Sequence, residues 1–307
     1  MKIATIIITY NRKDVLVQCI QSILKSEVKP DGIIVVDNAS TDETREKIEE
    51  EFKEVTLIRL NENKGPAGGA EAGQRFAIKN GFDAVWMLDD DNIVERGALK
   101  VLLDIYYTLK EKFNKVFLSS VAYGDLNFSE PLYNLLKYDF KTGLTRKIEE
   151  KKFKEEFFEY NIAPMHGLFL PRGVFASVGF FNGKLWGWYD DTEFVLRAQK
   201  NGFRGFAVPS SKIYHPIGFR KRVKIFGKNF TILSGRPVRM YLGTRNNIIT
   251  QKQILPKSNF YLIFLPLFIL KRGLSILLFY DEKGKFLKNF ILGIIDGIKG
   301  NLEVKHI

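Results

Sequence analysis

Short apolar strands alternate with helices through the first third of the chain, and this alternation constrains the fold more than any other feature. Mainly apolar runs predict strands at 3–9, 33–36, 55–60 and 84–88, and the first of them is uncharged and rich in β-branched residues, which predicts burial on both faces. Helical spacing predicts helices between them at 13–25, 40–53 and 69–80, and Ser40 and Glu43 have the spacing of a capping box. This order predicts right-handed βαβ units and therefore an α/β fold with a doubly wound, mostly parallel sheet.

Length, composition and cysteine content limit the class of protein. The 307 residues can hold one large α/β domain with an appended segment, and 45% hydrophobic with 27% charged residues is typical of a globular protein. The single cysteine, Cys19, excludes an internal disulfide and lies among apolar helix positions, which predicts a buried thiol. The chain begins directly with a strand and has no signal-peptide pattern, so we expect no export.

The net charge of +12 is unevenly distributed along the chain. Residues 194–280 contain many Lys and Arg but no Asp or Glu, and the densest basic cluster is at 220–224. A solvated basic face is the ordinary explanation of such a run. Because acids are absent over so long a stretch, we favour binding to anionic lipid or pyrophosphate. Nucleic acid is disfavoured, since no helix-turn-helix, zinc-finger or RNP pattern accompanies the charge.

Three consecutive aspartates, Asp89 to Asp91, follow the fourth predicted strand. Residues i and i+2 of an extended chain face the same way, so Asp89 and Asp91 can point into one pocket. Two converging carboxylates suit a hard divalent cation and hence a phosphate-bearing substrate. The alternative is that Asp91 or Asn92 caps a helix predicted from Val94 to Phe113. The triplet alone favours that simpler interpretation, but its surroundings reverse the preference.

Other polar residues are predicted at the same sheet edge, where ligands of open α/β sheets bind. Asp37 ends the second strand, and the turn at 9–12 follows the first. Residues 119–160 are less regular, and we interpret them as a connecting segment or as part of the acceptor side. Further on, an aromatic-rich loop at 185–193 carries Asp190 and Asp191 into a helix that ends near Gly202.

Taken together, these segments resemble inverting family 2 glycosyltransferases of the GT-A fold, in the branch of galactofuranosyl- and rhamnosyltransferases. The resemblance spans most of residues 1–250, and the all-aspartate triplet with Gly68-Gly69 upstream is most similar to galactofuranosyltransferases. It implies a catalytic domain at 1–250, divided into a nucleotide-binding half (1–118) and an acceptor-binding half (119–250). The matching segments are 8–12, 35–42, 63–69, 86–91, 188–197, His215 and Arg245-Asn246.

The resemblance also implies roles for individual residues. Asp37 would accept the N3–H of uracil or thymine, and Asp89 would contact the ribose or the metal. The implied nucleotide-binding residues are Thr9, Tyr10, Asn11, Arg12, Asp37, Asn38, Lys64, Gly65, Asp89 and Asp90. The implied metal ligands are Asp89, Asp91 and His215, and the acceptor or sugar contacts are Gly167, Trp186, Trp188, Tyr189 and Asp190. Imidazole with carboxylates suits Mn²⁺, with Mg²⁺ as the alternative; His166 is assigned to packing on the acceptor side.

Asp191 is the predicted catalytic residue. An inverting transferase needs one carboxylate to take the proton from the acceptor hydroxyl, and a helix start favours the ionised form. The alternative is that Asp190 or Asp191 only caps the helix, and we assign that role to Asp190. The three aromatic residues before them offer flat faces for sugar C–H groups, although core packing would explain at least one of them.

Two rival functions are weighed against glycosyl transfer. Gly68, Ala70 and Gly73 approximate a dinucleotide fingerprint, but that fingerprint follows the first strand of a Rossmann unit, and the turn at 9–13 contains no glycine. A nucleotide-binding or nucleotidyl-transferring relative would use the same metal half-site. The acidic pair at 190–191 argues against it.

Residues 251–307 form a separate basic and apolar segment. Pro266 and Lys271-Arg272 divide its apolar run into pieces too short to span a bilayer. An apolar stripe at helical spacing follows at 286–298, which predicts helices that lie on a membrane, contact a second subunit or cap the catalytic domain. We therefore expect a cytoplasmic enzyme, peripheral at the membrane, that acts on a lipid-linked or polysaccharide acceptor. UDP-galactofuranose is the favoured donor, dTDP-rhamnose the second and UDP-hexopyranoses the third.

Overall fold

The computed structural model of the chain describes residues 1–217 and 236–303 in full and the backbone of residues 220–225 and 228–233. The side chains of the basic cluster at 220–224 lie outside the described residues. The strands are β1 Ile3–Thr9, β2 Gly32–Asp37, β3 Val55–Arg59, β4 Ala84–Asp89, β5 Ile93–Val94, β6 Val116–Tyr123, β7 Leu136–Tyr138, β8 Thr145–Lys147, β9 Phe158–Tyr160, β10 Leu168–Pro171, β11 Arg204–Tyr214, β12 Arg220–Ile225 and β13 Lys228–Leu233.

Nine helices accompany these strands within the described residues. They are α1 Lys13–Leu24, α2 Thr44–Glu51, α3 Gly65–Lys79, α4 Ala98–Lys112, α5 Arg172–Val178, α6 Asp190–Lys200, α7 Pro237–Ile254, α8 Lys257–Phe279 and α9 Lys283–Lys299. Single 3₁₀ turns occur at Glu150–Lys154 and Gly183–Leu185.

One nine-stranded sheet organises the chain, and its strand order is β3-β2-β1-β4-β10-β6-β11-β5, with β9 also paired to β11. The first four strands in this order are parallel, as is β11 to β6. Strand β10 lies antiparallel between β4 and β6. The predicted α/β class with a mostly parallel sheet is confirmed, and the irregular middle of the chain contributes the hairpin β7–β8 and the edge strand β9.

The core lies on both faces of this sheet, which is why the central strands carry no charge in their interiors. All seven residues of β1 are buried. Ile6 and Ile8 belong to the cluster that helix α3 covers, and Ile7 belongs to the cluster under α1 and α4. Gly73 lets α3 lie directly on β1, because a Cβ there would be 2.6 Å from Ile6 Cγ2. Cys19 is buried, and burial raises the pKa of its thiol well above the usual value.

Two helix starts differ from the prediction. Helix α3 begins at Gly65 rather than at residue 69, because Pro66 occupies its first turn, where no backbone donor is needed. Residues 93–94 form strand β5 on β11, and α4 begins only at Ala98 after Gly97. The predicted capping of that helix by Asp91 or Asn92 is therefore wrong, because both residues precede β5 and neither lies at the helix start.

The C-terminal segment is helical, as predicted, but its first helix is continuous. The prediction that Pro266 and the basic pair divide the apolar run is wrong. Residues Phe260–Phe264 form a π-helical turn just before Pro266, which accommodates a residue without a backbone N–H. The resulting helix α8 is long and apolar enough to cross a membrane by length and composition, and only 17% of its most apolar window is buried.

Helix α9 packs against α7 through glycines. A Cβ on Gly293 would lie 2.7 Å from the Tyr241 carbonyl oxygen, and one on Gly297 would lie 2.8 Å from Ile248 Cβ. The tyrosine hydroxyl donates to Asp296 Oδ2 at 2.7 Å. The two helices therefore meet nearly backbone to backbone, and the end of the described chain forms part of the support for α7.

Candidate active site

The carboxyl ends of three neighbouring strands bring the first site residues together. In the parallel register Thr9 of β1 lies beside Asp37 of β2, and Ile8 lies beside Asp89 of β4. Because β1 stands between the other two strands, all three ends meet at one edge of the sheet. The edge is the one expected for ligand binding in an open α/β sheet.

Asp37 is fully buried and has one carboxylate oxygen without a hydrogen bond. Its Oδ1 accepts from the Ser40 backbone N–H at 2.8 Å, while Oδ2 has no hydrogen-bond partner, and the nearest cation, Arg59 Nε, is 3.8 Å away. The neighbouring Asn38 donates to the Gly65 carbonyl at 3.3 Å, and its own Oδ1 also lacks a partner. Unsatisfied buried oxygens are costly, so both oxygens are candidates to accept N–H groups from a ligand.

The turn after β1 is fixed by Asn11, which has a left-handed φ of 54°. Its side-chain oxygen accepts from the Thr41 backbone N–H at 2.7 Å, and its backbone N–H donates to Ser40 Oγ at 2.9 Å. The predicted capping box is therefore wrong: Ser40 serves this turn, and helix α2 begins after Glu43 without a side-chain cap. Tyr10, on the same turn, is 43% exposed and free to cover a ligand.

The three aspartates have different surroundings: Asp90 is held by hydrogen bonds within the protein, whereas Asp89 and Asp91 lie near His215. Asp90 is buried and accepts from Thr9 Oγ1 at 2.8 Å and from Arg12 Nη1 at 2.7 Å. Asp91 Oδ2 accepts from Arg12 Nη2 at 2.9 Å, whereas its buried Oδ1 has no hydrogen-bond partner. His215 Nε2 lies 3.5 Å from Asp89 Oδ2 and 3.7 Å from Asp91 Oδ1, so the two outer carboxylates converge on one imidazole.

His166 also belongs to this cluster, and its assignment to acceptor-side packing alone is wrong. Its Nδ1 lies 3.2 Å from Asp89 Oδ2, and its ring stacks on that of His215 with centroids 4.2 Å apart. No sequence pattern predicts this position, because the turn before β10 reaches the site only through the antiparallel insertion of β10 between β4 and β6. The next residue, Gly167, has a φ of 89° and holds the turn by donating to the Met87 carbonyl at 2.8 Å.

Burial and the charges of neighbouring side chains shift the pKa values of this cluster in opposite directions. Burial raises the pKa of Asp90 to about 7, against the opposing charge of Arg12. Burial acts in the same direction on Asp89, but hydrogen bonds from His166 and His215 outweigh it and hold the pKa of that carboxyl well below its usual value. Burial disfavours the charged form of His215, yet the contact with Asp89 raises its pKa above the usual value.

The donor set fits a divalent cation. Ligand atoms of Asp89, His166 and His215 all lie within 4.8 Å of one another, and the unpartnered Asp91 Oδ1 is beside them. Carboxylate oxygens combined with imidazole nitrogens suit Mn²⁺ and related transition metals, and they also allow Mg²⁺.

The aromatic loop before α6 has a strained backbone. Trp186, Trp188 and Tyr189 have φ values of 68°, 57° and 79°, which non-glycine residues rarely adopt. The two indoles stack with centroids 5.6 Å apart. The loop also contacts the start of α3, where the Trp186 carbonyl oxygen accepts a hydrogen bond from the Ala67 N–H at 3.0 Å. The same oxygen would lie 2.1 Å from a Cβ on Gly65, so only glycine fits there. Lys64, at the helix start, is half-exposed beside it.

Residues of α7 hold this loop in place, which explains the pair at 245–246 that the sequence singled out. Asn246 Nδ2 lies 3.0, 2.8 and 2.8 Å from the carbonyl oxygens of Leu185, Gly187 and Trp188. Arg245 Nη2 donates to the first of these carbonyls at 3.1 Å. Both side chains are fully buried. The loop therefore depends on a helix more than fifty residues further along the chain.

The acidic pair begins helix α6, directly after the strained loop. Asp191 Oδ1 accepts from the Thr192 backbone N–H at 2.5 Å and from its hydroxyl at 3.2 Å. Burial raises the pKa of Asp190 to about 8, and the charge of Asp191 adds to the shift. Burial also raises the pKa of Asp191, although the bonds from Thr192 oppose it. The charge of Asp89 also acts on both members of the pair, and that of His166 acts on Asp191, so the pair lies within electrostatic range of the metal-binding cluster.

Comparison with known proteins agrees with this geometry. Residues 4–161 match the family described as glycosyl transferase family 2. The chain belongs to this family. It is 28% identical to the dTDP-rhamnosyl transferase RfbF of Shigella flexneri over 87% of this chain and 86% of the relative. It is 30% identical to the galactofuranosyltransferase GlfT1 of Mycolicibacterium smegmatis over 73% of this chain and 74% of the relative. The chain is therefore a glycosyltransferase that uses a nucleotide sugar.

Solved structures of low sequence identity share the fold. Staphylococcus aureus TarS 1–349 in complex with UDP-GlcNAc has a TM-score of 0.60 at 17% identity, covering 96% of this chain and 82% of that one. GalNAc-T7 with UDP, GalNAc and Mn²⁺ has a TM-score of 0.63 at 16% identity, covering 95% and 55%. These similarities confirm the predicted GT-A architecture.

Proposed function

We propose that this glycosyltransferase is metal-dependent and inverting, and that it moves galactofuranose from UDP or rhamnose from dTDP to a lipid-linked or polysaccharide acceptor. The observation that carries the proposal is a pair of buried, unpartnered carboxylate oxygens at one sheet edge, Asp37 Oδ2 and Asp91 Oδ1. The first suits the N3–H of uracil or thymine, and the second suits a cation at the diphosphate. The relatives named for rhamnosyl and galactofuranosyl transfer support the two donors.

The donor would lie across the ends of β1, β2 and β4. Asp37 and the turn around Asn11 hold the base, while exposed Tyr10 covers it from the solvent side. The cation would be held by Asp89, Asp91 and His215, and when bound it stabilises the negative charge of the departing diphosphate. Arg12 supports this arrangement, because its guanidinium fixes the two aspartates that follow Asp89.

Asp191 would act as the general base. It stands at the start of α6 beside the metal-binding cluster, with Oδ1 held by Thr192, so its other oxygen can take the proton from the acceptor hydroxyl. That hydroxyl attacks the anomeric carbon from the face opposite the diphosphate, which inverts the configuration. The stacked indoles of Trp186 and Trp188 support this arrangement by offering apolar faces to the sugars.

The acceptor is proposed to be lipid-linked and the enzyme to work at the cytoplasmic face of a membrane. Helix α8 exposes large apolar side chains, including Leu262, Leu270 and Leu278 at 78%, 60% and 65%. Such a surface is typical of contact with a membrane or partner. A related Campylobacter jejuni protein, 27% identical over 66% of this chain, is named a glucosyltransferase of a glycan-PP-undecaprenol, which supports a lipid-linked acceptor.

The test of the donor and metal is transfer from a panel of nucleotide sugars to a defined lipid-linked acceptor, with and without Mn²⁺, followed by product analysis. We expect transfer from UDP-galactofuranose or dTDP-rhamnose, dependence on the cation and an inverted linkage. Metal-independent transfer, or a retained configuration, would contradict the proposal. Nucleotide binding without transfer to any acceptor would favour a nucleotide-binding or nucleotidyl-transferring relative instead.

The membrane proposal is tested separately on the full chain. Leu270→Glu together with Leu278→Glu changes exposed positions only, so folding should persist while binding to anionic liposomes falls. Leu126→Glu, at an exposed leucine on the catalytic domain, is the matched control. Liposome binding that is equal in both variants would remove the membrane proposal and leave a second subunit as the occupant of this surface. Resistance of bound protein to alkaline extraction distinguishes a spanning helix from one lying at the interface.

A further inference from the structure

We infer that His166 is an additional ligand of the metal centre, so that the site combines two imidazoles with carboxylates and prefers Mn²⁺ over Mg²⁺. The inference rests on the metal dependence proposed above. His166 is buried, its Nδ1 is 3.2 Å from Asp89 Oδ2, and its ring stacks on His215 at 4.2 Å between centroids. Both imidazoles therefore direct a nitrogen toward the same carboxylate oxygen, as the ligands of one ion would.

The backbone holds His166 in this position firmly. The next residue, Gly167, donates its N–H to the Met87 carbonyl at 2.8 Å, and its own carbonyl accepts from the Ser120 N–H at 2.8 Å. These bonds tie the turn to β4 on one side and to β6 on the other. A Cβ at the glycine would lie 2.9 Å from the Ser120 carbonyl oxygen, so the turn requires glycine there. The imidazole is thus positioned by the sheet itself rather than by a loose loop.

The second nitrogen of His166 has its own partner. Its Nε2 lies 3.4 Å from the side-chain amide of Asn134. Without a cation, the contact with Asp89 requires a proton on Nδ1. With a cation bound, that proton would move to Nε2, where the turned-over amide oxygen of Asn134 can accept it, and the lone pair of Nδ1 would face the cation. Metal-binding histidines usually have such a hydrogen bond on the nitrogen that faces away from the metal. The environment of His166 fits a ligand on both sides of the ring.

The consequence is a particular metal preference. Mg²⁺ prefers oxygen ligands and retains water, whereas imidazole nitrogen raises the affinity for Mn²⁺ and Co²⁺. With only Asp89, Asp91 and His215, the centre would hold a single nitrogen. The addition of His166 doubles the nitrogen donors, and removal of that nitrogen should move the site toward Mg²⁺.

The test is Mn²⁺ binding to the full chain with UDP present, measured by the loss of the free Mn²⁺ EPR signal and repeated in competition with Mg²⁺. His166→Gln should weaken Mn²⁺ binding by at least about 10-fold and reduce the preference for Mn²⁺ over Mg²⁺. Asn134→Ala should have a smaller effect in the same direction. His306→Gln removes an imidazole that lies outside the described residues and is the control. Thermal melts without metal verify that each variant is folded.

Two outcomes overturn the inference and are distinguishable. If the wild type binds Mn²⁺ and His166→Gln binds it equally well, with an unchanged preference over Mg²⁺, only the role of His166 is wrong. If the wild type itself binds no cation in the presence of UDP, the proposed metal dependence fails together with the inference. A change in the visible absorption of bound Co²⁺ between wild type and His166→Gln would support direct coordination, because that spectrum reports the ligand set.

Discussion

The two halves of the proposed active site, one for the nucleotide and one for the acceptor, are assembled in different ways. In the nucleotide half, Thr9, Asp37 and Asp89 stand at the ends of adjacent parallel strands, so the sheet register alone brings them together. In the acceptor half, a strained loop at 185–189 is held by Asn246 of α7, which is itself packed on α9. The first half therefore follows from local sequence pattern and sheet topology, whereas the second depends on contacts between residues far apart in the chain.

The sharpest test of the acceptor half is Asp191→Asn, for which we expect the largest effect. Asparagine keeps the size of the side chain but cannot take the proton from the acceptor hydroxyl. Removal of a general base should lower the transfer rate by about 10²- to 10⁴-fold, with donor affinity nearly unchanged. Steady-state kinetics and UDP titration measure the two quantities. Near-normal transfer in this variant would show that the base lies elsewhere.

A second prediction tests the remote support of the loop. Asn246→Ala leaves buried carbonyls of the loop without a donor, at a cost of about 1–3 kcal/mol, so kcat should fall clearly while UDP binding in Mn²⁺ persists. Asn247→Ala is the matched control, because the Oδ1 of that neighbour has no hydrogen-bond partner. Equal losses in both variants, or a parallel loss of UDP binding, would mean that the two halves are not independent.

The nucleotide half is tested by Asp37→Asn. The substitution replaces an acceptor oxygen by an amide that donates, at the position where the base N3–H is expected. Loss of a hydrogen bond to a charged group is worth about 1.5–3 kcal/mol, so we expect UDP affinity to fall by roughly 10- to 100-fold, equally with and without metal. Calorimetric titration measures this affinity. A loss confined to the metal-containing sample would assign the residue to the metal centre instead.

The smallest expected effect concerns pH. Because Asp191 has a raised pKa and must be ionised to act as a base, transfer should increase with pH through a value above that of an ordinary carboxyl. Burial raises the pKa of Asp190 to about 8, so it is protonated at neutral pH. Asp190→Asn resembles that neutral form and should retain transfer at pH 7. If the pH–rate profile showed Asp190→Asn to be as inactive as Asp191→Asn, Asp191 could no longer be assigned as the only carboxylate needed for proton transfer.

Much of the fold and of the nucleotide half could be predicted from the sequence, for a physical reason. Buried strands have an uninterrupted apolar pattern, and their polar ends must lie at one edge of a parallel sheet. The capping box failed because Asn11, from another element, uses Ser40 Oγ. The position of His166 beside Asp89 was missed because β10 enters the sheet antiparallel, and no local sequence pattern predicts that pairing.

The helix α8 was mispredicted for a similar reason. In the sequence, Pro266 and the pair Lys271-Arg272 interrupt the apolar run. In the structure, a π-helical turn at Phe260–Phe264 keeps the helix continuous through the proline. The distinction matters for function, because one long apolar helix can engage a membrane in ways that two short pieces cannot.

Three left-handed residues in one loop also bear on how the enzyme fails when it is warmed. Each such conformation costs about 1–3 kcal/mol and persists only while its surroundings hold it. The contacts of α7 hold Trp186, Trp188 and Tyr189 in this state. A strained segment needs less free energy to open than the central sheet needs to melt, so the loop should relax first on heating. The enzyme would then stop turning over at a temperature where its sheet is intact, and cooling would restore it without refolding of the core.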